Sequence, residues 1–231
     1  MEVIVPVFQF EIRFNHILDF SQISRSLLAP FVKLAQSLKV DKQNTLEEIY
    51  SLNFEDDNYI IIVSWDRIVF KGQGSLETYT KKNSPIDTLF FGILDKIMSL
   101  SHFGGIQRSL FFATCISKVK GGDFHFDTFS KNTLAFNPND ILENSNDIAI
   151  VIESKTKKNE TSITFGPYLG PKDLLKRTIG PVNISALDDL EFEGIMFEYK
   201  NFKLLSEIKF VDFVKNCTEF NDKFKKIWNI Q

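Results

Sequence analysis

The chain has 231 residues, 43% of them hydrophobic and 25% charged, with 27 basic against 30 acidic side chains for a net charge of −3. That length and balance suit a folded chain that buries its own core without staples, and they exclude disorder as the starting expectation. Near-balanced charge also argues against a nucleic-acid partner, which calls for a concentrated positive field, although a local basic patch is compatible with it.

The two cysteines, Cys115 and Cys217, each sit in an apolar periodic segment with no Cys or His at ligand spacing. Two buried free thiols in a reducing compartment, the cytoplasm, are therefore expected. Met1-Glu-Val-Ile-Val-Pro6 has no basic n-region, so no secretory leader is expected. The longest apolar runs, such as Tyr59-Ile-Ile-Ile-Val63, are too short to span a bilayer. Most of the 24 phenylalanines are expected in the core.

In chain order, Val3 to Phe14 alternates as a half-buried strand, with Phe8, Phe10, Ile12 and Phe14 on one face and Gln9, Glu11 and Arg13 on the other. Pro6 cannot donate to a ladder, which places the start of that strand at an edge or outside the pairing. A helix capped by Asp19 or Ser21 follows, with a stripe of Ile23, Leu27, Phe31, Leu34 and Leu38, kinked or split at Pro30. Residues 49–71 read as a meander turning at 55–58 and 65–67. Ser84, Pro85 and Asp87 sign the start of a central helix whose apolar face runs from Ile86 to Met98, with Gly104-Gly105 ending it.

Residues 110–129 read as a hairpin closed by Gly121-Gly122, with Lys118 opposite His125 and Val119 opposite Phe124. A second hairpin joins 148–153 to 161–165. Gly166 to Pro171 reads as a loop leading into a short helix stopped by Gly180-Pro181. Residues 190–202 make a strand or bent pair, and 206–229 a closing amphipathic helix with a stripe of Ile208, Val211, Val214, Cys217, Phe220 or Asn221, Phe224, Ile227 and Trp228. The fold class is α+β: a largely antiparallel sheet packed by three main helices. The chain is taken as one domain, 1–231, with an alternative division into two related lobes, 1–136 and 147–231.

Two constellations carry candidate chemistry. Alternation would set Asp123, His125 and Asp127 on one strand face, as a divalent metal site requires, although Lys118 and Lys120 across the hairpin make an ordinary charge-paired surface the simpler reading. Asp140 with Glu153-Ser-Lys155 resembles the Asp…Glu-x-Lys set of restriction-endonuclease-like nucleases, in which carboxylates hold Mg²⁺ and the lysine assists the attacking water. Against it, Glu153 to Lys155 sits on the shoulder of a hairpin and no helix follows where that fold has one. No cofactor motif is present.

With the layout in place, the chain resembles a sporadically distributed family of uncharacterised prokaryotic proteins of similar length. The resemblance rests on Pro6-Val-Phe-Gln-Phe-Glu-Ile-Arg-Phe14, Trp65-Asp-Arg67, Arg108-Ser-Leu-Phe-Phe112 and a final helix bearing Phe220 and Phe224. It covers most of the chain, departs from the family at Leu110-Phe-Phe-Ala-Thr114, and carries over no site residues. The expected function is a non-enzymatic cytosolic binding protein, its partner a protein, self or other, with no membrane involvement. The alternatives are a carrier of an apolar small molecule in a Phe-lined cavity under the C-terminal helix, and the Mg²⁺-dependent nuclease.

Overall fold

The computed structural model describes residues 3–118, 125–145, 147–175, 179–180, 183 and 190–228. Alternation in Val3–Phe14 produces strand β1, and its four core-facing residues, Phe8, Phe10, Ile12 and Phe14, are at most 1% exposed. β1 lies in the middle of the sheet, paired on one side with β5 (Arg67–Gly72) and on the other with β6 (Ile106–Ser117). Pro6 lies outside this pairing: the step from Ile4 to Val7 matches the shorter step from Ile116 to Thr114, so the proline occupies a bulge where no ladder N–H is needed.

The meander forms as expected, as β3 (Ile49–Phe54), β4 (Tyr59–Ser64) and β5. Asn58, at φ 57°, supplies the left-handed residue of the first turn. The helix before it is shorter than its apolar spacing suggested. α1 (Phe20–Val32) ends soon after Pro30, which removes an N–H from its last turn. Leu34 is 61% exposed, and Leu38 falls in an edge strand, β2 (Ser37–Asp41), paired with β3. The free edge of β3 offers this segment a backbone ladder that an extended helix would forgo.

After β5 come a short helix, α2 (Leu76–Thr80), and the central helix, which opens with a π-helical turn at Ile86–Phe90 and continues as α3 (Phe91–Met98). Its start carries the expected chemistry: the Asp87 N–H donates to Ser84 Oγ at 3.4 Å, and the Asp87 carboxylate accepts from the Asn83 N–H at 2.8 Å. It stops at Met98, well before Gly104-Gly105.

The hairpin expected over 110–129 is not formed. β6 is flanked on both sides, by β1 and by β9 (Gly194–Leu204), so neither of its edges can take a strand from residues 125–129. Instead Phe126–Thr133 forms helix α4, because the three-residue spacing of Phe126 and Phe129 puts both rings against the core. Lys120, Gly121, Gly122 and Asp123 lie outside the described residues. The second hairpin does form, from β7 (Ile150–Lys155) and β8 (Asn159–Tyr168), in a register pairing Ile150 with Phe165 and Lys155 with Glu160. β8 continues into the stretch expected to be loop. There Gly166 faces the Ile148 carbonyl so closely that any side chain would collide with it. Helix α5 (Pro171–Leu175) follows.

Among the described residues nine strands make one antiparallel sheet in the order β2-β3-β4-β5-β1-β6-β9-β8-β7, accompanied by six α-helices. Strands from either side of residues 136–146 share it, β6 pairing with β9 from Arg108 to Ser117. The closing helix, α6 (Phe210–Trp228), buries Phe213, Cys217, Phe220, Phe224 and Ile227, whereas Val211 is half exposed. Cys217, Phe220, Phe224 and Ile227 thus lie on the expected stripe, and only in the first turn does Phe213 take the buried place expected of Val211. Phe213 meets Phe10 at 5.3 Å, Phe111 at 6.0 Å and Phe8 at 6.2 Å between ring centroids. Residues of α1, α2, α3, α4 and α6 all join this one cluster, on one face of the sheet. A smaller cluster of Ile116, Tyr168, Leu174, Leu190 and Met196 covers one end of the opposite face. No helix among the described residues is long and apolar enough to cross a membrane.

Candidate functional site

Away from that end, the second face of the central strands carries side chains in contact with solvent. Alternation along β1 places Gln9, Glu11 and Arg13 there, opposite the phenylalanines that face α6. Register extends each of them into a row across the sheet. Arg13 stands opposite Arg67 of β5 and Arg108 of β6. Glu11 stands between Val69 and Leu110, and Leu110 in turn opposes Phe202. Gln9 stands between Lys71 and Phe112, with Lys200 beyond.

Directly opposed like charges destabilise a sheet, so the row Arg67–Arg13–Arg108 calls for compensation, and part of it is visible. Arg13 Nε lies 2.5 Å from Glu11 Oε1, and Gln9 Nε2 donates to the other Glu11 oxygen at 3.3 Å. Arg67 Nε donates to Asp66 Oδ1 at 2.9 Å, and the Ser64 hydroxyl donates to the same oxygen at 2.8 Å. Among the described residues Arg108 pairs with no carboxylate; it lies over the Phe202 ring, 5.3 Å from its centroid. Among the described residues no hydrogen bond reaches the Nη groups of Arg13 or Arg67, or any nitrogen of Arg108. Burial alone would raise the Asp66 carboxyl; hydrogen bonds from Arg67 and Ser64 and the charges of Arg67 and Arg13 outweigh it and hold the group below its ordinary value. Lys71, half buried and without a polar partner among the described residues, has its ammonium pKa lowered by desolvation.

No protein-family model matches the chain, and no curated protein matches its sequence. Function therefore rests on the chemistry of its own side chains.

The residues singled out from sequence fall elsewhere. His125 precedes α4 and Asp127 sits in its first turn, so the alternation that would have grouped them with Asp123 on a strand face does not exist. Asp140 closes a single 3₁₀ turn, Pro138–Asp140. Glu153 and Lys155 are exposed on the edge strand β7, where Lys155 Nζ pairs with Glu160 at 3.0 Å. Among the described residues no group of three or more His, Cys, Asp or Glu side chains is placed to hold a metal ion. His16 lies tilted against Trp65, 4.1 Å between ring centroids, and His102 pairs with Asp19 at 2.9 Å, partners that sequence did not reveal. Cys115 and Cys217 are buried and unpaired, and burial pushes both thiols up. Clefts of about 260 and 500 Å³ open beside β8 and α4, and neither is lined by a residue of α6.

Proposed function

We propose that the chain is a non-enzymatic cytoplasmic binding protein whose working surface is the open face of its sheet, and that its partner is a protein, either another chain or a second copy. The observation that carries this reading is the contrast between the two faces. Five helices bury one of them, while the other keeps Phe112, Phe202, Lys71 and the three arginines partly exposed and Lys200 exposed. Aromatic rings interleaved with guanidinium groups are the side chains from which interface hot spots are drawn. Two buried, unpaired thiols fit a reducing compartment.

Against the carrier alternative stands the ring packing beneath α6, where Phe213 and Phe220 occupy the space an apolar ligand would need. Against the nuclease alternative stands Lys155, held by Glu160 when it would have to assist a water. We also propose that the chain is one unit built from two related halves, divided before β6 and not at the 136–147 junction expected from sequence. In the first, β1 and α1 precede a meander whose last strand, β5, returns to β1; in the second, β6 and α4 precede one whose last strand, β9, returns to β6.

Site-specific photo-crosslinking in the native cell tests the surface assignment. A photoreactive phenylalanine at position 112 or 202 is expected to capture the same protein, and one at the exposed Asp222 of α6 is not. Capture from Asp222 alone, or none from either open-face position, refutes it.

A further inference from the structure

We infer that Arg67, Arg13 and Arg108 form an oxyanion site and that the group it takes is a phosphate monoester carried by the partner, an inference that deepens the binding reading above and rests on it. Three guanidiniums in directly opposed positions face only two carboxylates, Glu11 and Asp66, which leaves one positive charge in excess on the row. Both carboxylates engage through Nε, so among the described residues the Nη edges of Arg13 and Arg67 and the N–H edges of Arg108, whose face lies over Phe202, carry no hydrogen bond. The Arg13 and Arg67 side chains are 30% and 37% exposed, open to a ligand yet partly shielded from water, which strengthens a charge-assisted hydrogen bond.

The ligand class follows from the span of the row. Arginines on three adjacent strands are spread over about 10 Å, two strand spacings, a span that their long, many-jointed side chains can bridge toward a ligand held between them. A carboxylate offers two oxygens, enough for one guanidinium fork. A phosphate monoester offers three terminal oxygens and close to two charges, enough to engage all three. Phe202, beside Arg108, supplies an apolar flank for the carbon atoms that bear the ester. A nucleic-acid strand fits less well: beyond Phe202 and Lys200 the same face carries Glu153 and a Glu160 already neutralised by Lys155, so no positive track continues for a line of phosphodiesters.

Calorimetric titration of the full chain at low salt tests this, with O-phosphoserine as the probe and acetate, inorganic phosphate and a single-stranded oligonucleotide in parallel. Saturable O-phosphoserine binding is expected, at least about tenfold tighter than acetate and weakened about tenfold by Arg108→Gln. That variant breaks no ion pair, and an unchanged urea midpoint certifies its fold; Arg67→Lys, which keeps the charge but loses the fork, is expected to weaken binding as well. The inference is overturned by absence of saturable binding, by wild-type affinity in a folded Arg108→Gln chain, by inorganic phosphate binding without O-phosphoserine, or by tighter binding of the oligonucleotide per phosphate. If any of these occurs while positions 112 and 202 still crosslink, the anion site fails and the surface assignment stands.

Discussion

Phe213→Ala tests whether α6 rests on a filled core. Phe213 is fully buried, and its ring meets those of Phe8, Phe10, Phe111 and Phe210 at centroid distances between 5.3 and 6.3 Å. Truncating a phenylalanine packed in this way costs about 3–5 kcal/mol in lost transfer energy and residual cavity, so a value of about 4 kcal/mol is expected. With a urea m-value of about 3 kcal/mol/M, the unfolding midpoint should fall by roughly 1.3 M. Val211, one of the residues that apolar spacing placed in the buried stripe, is 50% exposed, and Val211→Ala should stay within about 0.5 kcal/mol of wild type. Equilibrium urea unfolding followed by far-UV circular dichroism reads both. A midpoint shift below about 0.5 M for Phe213→Ala, or equal shifts for the two variants, would falsify the packing and reopen the case for a cavity beneath α6.

Three further outcomes are expected. Because the folded pKa of Asp66 is depressed, its stabilising share is complete above the unfolded value of about 3.9 and vanishes as pH falls through the folded one. The stability gap between wild type and Asp66→Asn should therefore be flat from about pH 5 to 7 and close on further acidification; a gap that widens in acid contradicts the assignment. Lys71 has the opposite sign, since burial lowers the pKa of a base and holding it protonated opposes folding at neutral pH. Lys71→Met should raise the urea midpoint at pH 7, and its advantage should shrink as pH rises through the lowered folded pKa. Cys115 and Cys217, buried with raised thiol pKa values, should resist a disulfide reagent in the native chain and react together once urea passes the midpoint; fast labelling of either thiol in native buffer would show that it is accessible.

Elements decided by local chemistry were legible before any coordinates. β1 showed itself by alternation, the meander by its polar turns, and the central helix by Ser84-Pro-Ile-Asp87. Errors arose where short segments satisfied two periods at once. Leu34 and Leu38 continue a helical spacing, yet the free edge of β3 draws Ser37–Asp41 into the sheet. Asp123, His125 and Asp127 alternate as a strand would, but both edges of β6 are already taken by β1 and β9, and Phe126 and Phe129 fit a helix. The arginine row was beyond reach for a different reason. Arg13, Arg67 and Arg108 have no spacing in common; only the strand order β5-β1-β6 and its register set them side by side.

The central place of β1 also shapes how the chain is born. Residues 3–72 contain everything needed to close a sheet of β1 to β5, but β1 then presents one long unpaired backbone edge to whatever arrives first. Its proper neighbour, β6, ends at Ser117, 45 residues after Gly72, a delay of roughly 2–9 s at ordinary rates of synthesis. During that interval the nascent chain carries an open hydrogen-bonding edge in the middle of its future core, a site for mispairing with a neighbouring nascent chain. Ribosome spacing and chaperone access over these 45 codons therefore bear on the yield of this protein, apart from the strength of its finished core.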